Sequence, residues 1–424
     1  MLQRPAGVEP RVANGGGLLS RTVISTAGMA VQGLARFAYT LAIGRLAGPE
    51  SLGDVSALLS VAVYASLFWP AAAGVAGSRF LPVAETRAAA LRTLNRSVLL
   101  SVAVLVPATL VTAWLLGSGA ADIVGAAALV LGYSGYVFVR GALLGDDRIG
   151  RATLLDTVTS VLAITALVLV LVADWHWALL LPLALGYALF AVLGMPRGSA
   201  PATPAQRAEV LRFTRDCAIA LLATGGLLPA TMILVRATEP ALVAGLFAAG
   251  LSLATPANLV AQAVNQVLIP HFARMQHEPV AAIRASHARV FVITAVGFVV
   301  VFGVLIALAP WILTTFYGAE YAEGAFAMQL LLVGVGAMSI MSAPGAYLVA
   351  TGRQGLNARI WIVAMLVGTV AMIALAPAFG QWGALAGFLL GGCGGSLAVI
   401  VSGLSLAPKP VFAGSQGDPE PRSA

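Results

Sequence analysis

Twelve apolar stretches, each long enough to cross a bilayer, occupy most of this 424-residue chain. A span needs roughly 20 apolar residues, and candidates lie near 22–44, 54–82, 97–117, 121–144, 152–173, 177–195, 216–236, 241–270, 288–309, 325–350, 356–376 and 382–406. Composition agrees. With 59% hydrophobic residues, 10% charged and a mean hydropathy of +0.93, the chain lacks the polar surface to coat a soluble globule of this size. Little chain is left for a domain outside the membrane, so the reading is an all-α integral membrane protein.

All but four of the 24 basic residues fall in or beside every second gap between these stretches. Of the four, Arg45 and Arg236 fall in the intervening gaps, and Arg36 and Arg79 lie within spans. Cytoplasmic loops retain Lys and Arg while translocated loops lose them. The pattern predicts an even number of spans, both termini cytoplasmic, in the plasma (inner) membrane. The net charge of +7 then reads as orientation charge facing anionic headgroups, not as a footprint for nucleic acid. Residues Arg4, Glu9 and Arg11 stand among Pro and Gly, unlike the cationic start and apolar core of a cleaved signal, so the first span itself is expected to direct insertion. The stretch from Pro408 to Ala424 has no apolar periodicity and is expected to be disordered.

The longest polar interruption, PRGSAPATPAQRAEVL at 196–211, divides the spans six and six. This predicts an N-terminal lobe over 1–195, a cytoplasmic linker over 196–211, a C-terminal lobe over 212–406 and a tail over 407–424. Sliding the chain by 205 residues sets Leu143, Arg148, Gly150 and Trp177 on Leu348, Arg353, Gly355 and Trp382. A looser match sets Arg45 and Gly53 against Arg236 and Gly245, and Arg79 against Arg274. Six spans per half make both halves enter from one side, so the repeat axis should run along the membrane normal, with a transport cleft between the lobes. Pro70, Pro107, Pro182, Pro229, Pro256 and Pro344 interrupt spans and free backbone carbonyls that neighbours or water must satisfy. Gly383, Gly387, Gly391 and Gly395 form a smooth ridge expected to pack against another helix of the same molecule.

Several chemistries are without residues. The one lysine, Lys409, excludes a phosphate loop ending in Gly-Lys-Ser/Thr, and no nucleophile elbow or H-E-x-x-H pair occurs. Cys217 and Cys393 stand alone, and His271, His277 and His287, expected in a solvated loop, match no compact metal site. No enzyme, metal or cofactor is implied. Transport is the remaining default.

In the first span Arg21, Ser25, Gly28, Gln32, Arg36 and Tyr39 recur at helical spacing on one face. An Arg near the bilayer centre costs at least about 2.5 kcal/mol on insertion scales, so Arg36 is expected to face a water-filled cavity, where its planar fork suits phosphate or carboxylate. Arg79 follows Ser78 near the cytoplasmic end of the second span. In the eighth span Asn258, Gln262, Asn265 and Gln266 share a face, and their amides can bond sugar hydroxyls or another helix. Carboxylates that would couple transport to a proton or sodium gradient are few. Asp54 sits at the outer mouth of the second span, and Asp156 one turn inside the cytoplasmic end of the fifth, where Arg148 or Arg151 is the expected partner.

Local stretches resemble a known family. AIGRLAGPESLGDVSAL and GVAGSRFLPVAE are similar to the start and close of the second span in oligosaccharide flippases of the multidrug/oligosaccharidyl-lipid/polysaccharide (MOP) exporter superfamily. VLIPHFARM looks like the end of their eighth span. APWILTTFYGAEYAEGAFAMQLLLVGVG looks like their ninth-to-tenth crossing, with Phe316, Tyr317, Gly318 and Tyr321 on the pattern. YLVATGRQGLNARI followed by GQWGALAGFLL is similar to the close of their second lobe. The resemblance implies two helical bundles related by a pseudo-two-fold axis, as in MATE-type folds, alternating between inward and outward openings. It also implies that a polyprenyl-pyrophosphate-linked oligosaccharide is flipped outward for cell-surface polysaccharide synthesis, with polymerase machinery as a partner. The substrate cavity would then hold Gln32, Arg36, Tyr39, Arg79, Gln262, Asn265 and Gln266. Two alternatives stay open: a cation-coupled multidrug exporter of the same superfamily, needing Asp54 or Asp156, and a membrane-embedded polymerase or glycosyltransferase, for which the outer loops are short.

Overall fold

The computed structural model describes residues 15–198, 200–275 and 278–406, without the side chains of 15–27, 29, 256–260, 262, 263, 265, 266, 269, 270 and 273. The tail at 407–424 and the side chains of Arg21, Ser25, Asn258, Gln262, Asn265 and Gln266 lie outside the described residues. Among the described residues there is helix and no strand. The helices are α1 (Gly15–Leu46), α2 (Gly48–Phe68), α3 (Pro70–Phe80), α4 (Ala84–Leu115), α5 (Ala120–Gly145), α6 (Ile149–Val172), α7 (Leu181–Gly194), α8 (Pro204–Gly225), α9 (Leu227–Thr238), α10 (Ala241–Arg274), α11 (Val280–Tyr317), α12 (Ala325–Ile340), α13 (Ser342–Ala350) and α14 (Gln354–Ser405). Among the described residues, joining the pieces across short breaks and dividing α14 at its kink gives twelve helical passes; eight to nine elements are by themselves long and apolar enough to cross a membrane.

The breaks have identifiable causes. Trp69 leaves helical geometry at φ −151°, and Pro70, which has no N–H to donate, starts α3. Gly225 and Gly226 separate α8 from α9, which are bent by 60° to one another. In α14 Gly380 adopts φ 56°, ψ −133°, and the Glu239 carboxylate accepts a 2.9 Å bond from the following Gln381 N–H. Not every proline breaks its helix. Pro107 lies inside a continuous α4, because a proline forfeits only one ladder bond and kinks are optional when the freed carbonyl is tolerated.

Helices also run past the apolar limits read from sequence, since hydropathy marks the lipid-facing part and not the end of the backbone ladder. Thus α4 begins at Ala84 and α11 at Val280, well before their apolar stretches. The expected linker is helical from Pro204 onward. There Thr203 and Gln206 form a capping box, the Gln206 N–H donating to the Thr203 hydroxyl at 3.3 Å and the Thr203 N–H to Oε1 at 3.1 Å. The histidines depart from expectation too. His271 and His287 stand in α10 and α11 rather than in a solvated loop, and His287 is buried with its ring stacked on Tyr347, centroids 4.1 Å apart. An imidazole is apolar enough to pack when its helix places it against an aromatic neighbour.

Most of helices α1 to α7 pack mainly on one another, as do most of α8 to α14, but α2 lies chiefly on α9 and α10 and α8 chiefly on α2, α3 and α4. The glycine ridge lies against the other arm of α14, where a Cβ on Gly391 would come within 2.8 Å of the Ala364 carbonyl. The two groups meet where α2 runs along α10. Gly53 faces Gly245 there, and a Cβ on Gly53 would come within 2.8 Å of the Gly245 nitrogen. These two glycines are matched in the looser internal alignment, and a contact between residues so matched is what a two-fold axis passing there would produce.

The bundle has two unlike ends. Five exposed tryptophans, Trp114, Trp175, Trp177, Trp311 and Trp382, sit at or near helix ends on one side, here the tryptophan end. Arg87, Arg148, Arg151, Arg207 and Arg212 stand at the opposite, arginine end. At the tryptophan end the lobes are joined by an ion pair and hydrogen bonds. Asp54 on α2 accepts from Arg236 Nε on α9 at 2.6 Å. Arg45 donates to the carbonyls of Thr315 and Phe316 where α11 ends, and Tyr321 donates to the Gly44 carbonyl at 2.8 Å. The FYGAEY motif is thereby explained, with Gly318 at φ 120° turning the chain so that both tyrosines are buried against α1.

Candidate functional site

Three polar side chains of α1, spaced four and three residues apart, share one face, and that face turns toward α6 and α7 of their own lobe. Gln32 donates to the Tyr187 hydroxyl at 2.6 Å, and the Tyr39 hydroxyl donates to the Leu179 carbonyl at 2.5 Å. Arg36 stands between them, half-buried. It lines a small cavity of about 20 Å³, walled also by Tyr136, Thr159, Ser160 and Tyr187. Among the described residues no carboxylate forms an ion pair with Arg36.

This placement corrects the expected one in a single respect. The stripe was expected to open on the cleft between lobes, whereas its cavity is built within the first lobe from α1, α5, α6 and α7. The reason is chemical. The phenols and the Leu179 carbonyl that satisfy Gln32 and Tyr39 all lie on those neighbours, and buried polar groups turn toward partners.

Asp156 adjoins the same cavity wall. It is fully buried, receiving the Tyr136 hydroxyl at 3.0 Å on Oδ1 and Arg140 Nε at 3.0 Å on Oδ2. The expected partners are engaged elsewhere. Arg148 pairs with Asp146 at 3.1 Å, and Arg151 donates to the Leu193 carbonyl at 2.6 Å. Those two arginines sit at the helix start, where they point to the interface, while Asp156 faces inward against α5. A tight approach by α1 seals it. A Cβ on Gly28 would lie 3.1 Å from Asp156 Oδ2.

With Asp156 offset by Arg140, Arg36 leaves the lobe interior one positive charge in excess. A site of that kind accepts an anion whose oxygens can take the guanidinium fork, with phenols and Gln32 supplying further hydrogen bonds. The structure does not bring the other named residues into it. Asp54 belongs to the seam at the tryptophan end. Arg79 is exposed at the arginine end, its guanidinium carbon 4.3 Å from the Phe213 ring centroid, and lines a separate cavity. Sequence reasoning missed Tyr136, Arg140 and Tyr187. A signal existed for two of them, because Tyr133, Tyr136 and Arg140 recur at three and four residues on α5, but Arg140 was counted with the orientation charges.

No family model matches this chain, and no curated protein does. Solved structures match its fold. An inward-facing multidrug resistance MATE family transporter of the MOP superfamily has a TM-score of 0.70 at 16% identity, covering 91% of this chain and 97% of that one. The lipid II flippase MurJ in an inward closed conformation has 0.67 at 15%, covering 90% and 87%. An outward-facing MATE family transporter of the same superfamily has 0.56 at 17%, covering 92% and 96%. At this identity the likeness concerns the fold, and the neighbours are transporters, not enzymes. The chain is a multi-pass, all-helical membrane protein with a fold like those of MATE and MurJ transporters.

Proposed function

We propose that this protein flips a polyprenyl-pyrophosphate-linked oligosaccharide from the inner to the outer leaflet of the plasma membrane by alternating access. The observation that carries the reading is Arg36, a cation lining a cavity with no carboxylate ion pair among the described residues. A pyrophosphate supplies the missing negative charge. At about 20 Å³ the cavity holds little more than one water beside Arg36, so on this reading it widens to admit the charged linkage, with the sugars extending toward the seam. Gln262, Asn265 and Gln266 on α10 are assigned to meet them there, as the periodicity of that helix suggests.

Orientation is part of the proposal. Exposed tryptophans at one end and arginines at the other fit an outer interfacial belt and a cytoplasmic face, with both termini inside. The lobes are taken as residues 1–195 and 212–406. A seam closed at the tryptophan end, together with the greater likeness to an inward-facing neighbour than to an outward-facing one, supports an inward-facing state.

Arg36→Ala should abolish export of the lipid-linked sugar while insertion and abundance stay unchanged, read by analysing lipid-linked oligosaccharide stranded on the cytoplasmic side of cells. Unaltered export would remove Arg36 from the mechanism. A cation-coupled drug exporter is the second reading, favoured by the buried Asp156 beside the same cavity. Proton-dependent dye efflux from everted vesicles that is lost in Asp156→Asn would select it instead.

A further inference from the structure

The cavity around Arg79 belongs to neither the α1 site nor the seam at the tryptophan end. It measures about 280 Å³, between α3 and α4 of the first lobe and α8 of the second. Arg79 is held in place by two rings, its guanidinium carbon 4.3 Å from the centroid of Phe213 and 5.3 Å from that of Phe80. Among the described residues it has no carboxylate in ion-pair range, although Glu209 lines the same cavity. Gln206 stands on the Glu209 wall. Its carbonyl oxygen is taken by the Thr203 N–H, which leaves the amide N–H groups for a ligand.

A cation and an anion that share a crevice without touching suit a ligand carrying both charges. Arg79 and Gln206 offer donors to a phosphate, and Glu209 offers an acceptor to an ammonium group. The surroundings select a lipid over a soluble ester. The crevice lies at the arginine end, at headgroup level, and one turn deeper on the face of Arg79 stands Val75, exposed and apolar. Two turns beyond Thr93, a lining residue on α4, Leu100 is also exposed. Acyl chains can run along both.

We propose that this crevice binds a primary-amine phospholipid, of the phosphatidylethanolamine class, from the cytoplasmic leaflet, tying α8 to the first lobe. The assignment is independent of the flipping substrate. The test is lipid retention by the full-length protein, extracted from vesicles of phosphatidylcholine doped equally with phosphatidylethanolamine and phosphatidylglycerol and weighed by native mass spectrometry. Wild type should retain phosphatidylethanolamine over either other lipid. Arg79→Gln should lower that retention about tenfold, the scale of one charge-assisted hydrogen bond. Glu209→Gln, on an exposed position that does not endanger folding, should erase the preference over phosphatidylglycerol. Equal retention of the two lipids by wild type, or an unchanged preference in Glu209→Gln, would overturn the proposal. Displacement of the lipid by free phosphoethanolamine would also sink it, by showing a soluble phosphate site.

Discussion

The two ends of the lobe seam are closed by different chemistry. At the tryptophan end the backbones of α2 and α10 touch at Gly53 and Gly245, and Asp54–Arg236 and Arg45 bridge lobes through charge. At the arginine end α8 meets α3 and α4 through rings, Phe80 against Phe213 with centroids 5.6 Å apart, around a crevice of about 280 Å³. Backbone contact has almost no slack, whereas ring stacking at the rim of a crevice tolerates sliding. Under the alternating-access proposal the lobes pivot, and transport requires the tryptophan end to part.

The strongest way to break this comparison is to prevent the parting. Joining Asp54→Cys to Arg236→Cys with a short bifunctional thiol reagent should stop transport completely. Transport that survived full cross-linking would show that the seam never opens at the tryptophan end. Next in size is Gly245→Val. Its side chain would overlap the Pro49 carbonyl and hold the lobes apart, so a cysteine at position 54 should label with a membrane-impermeant thiol reagent at least about tenfold faster. Labelling at the unmodified rate would mean that the glycine contact is incidental. The smallest effect belongs to the other end. Phe213→Leu removes the ring beneath Arg79, an exposed cation–π contact of about 0.5–1 kcal/mol, and should lower the melting temperature slightly with no change in labelling at position 54. A large response there would sharpen the picture toward a second latch.

Legibility from sequence varied by kind of feature. The glycine ridge of α14 was readable because four-residue spacing leaves only one helix face for it, and a neighbouring arm supplies the partner. The polar face of α1 was readable for the same reason. Its target was not, since periodicity fixes which residues share a face but not how the helix is rotated in the bundle. Asp156 makes the point. Arg148 and Arg151 are nearer in sequence, yet Arg140 on α5 takes the carboxylate, because helix packing puts α5 against that side of α6. The capping box at Thr203 was in plain view, and reading it would have started α8 seven or eight residues sooner than the linker allowed.

Partition between water and lipid depends on composition along the chain, and that one-dimensional quantity determined the all-helical, multi-pass class and the segregation of arginine from tryptophan. Pairing depends on rotation, depth and neighbours, which the chain acquires only on packing. Tertiary structure alone therefore decided that Arg36 looks into its own lobe, that Asp54 bridges to Arg236, and that Arg79 stands in a crevice of its own. A buried charge must find a partner or water within a few ångströms, and distance in sequence says little about what lies that close.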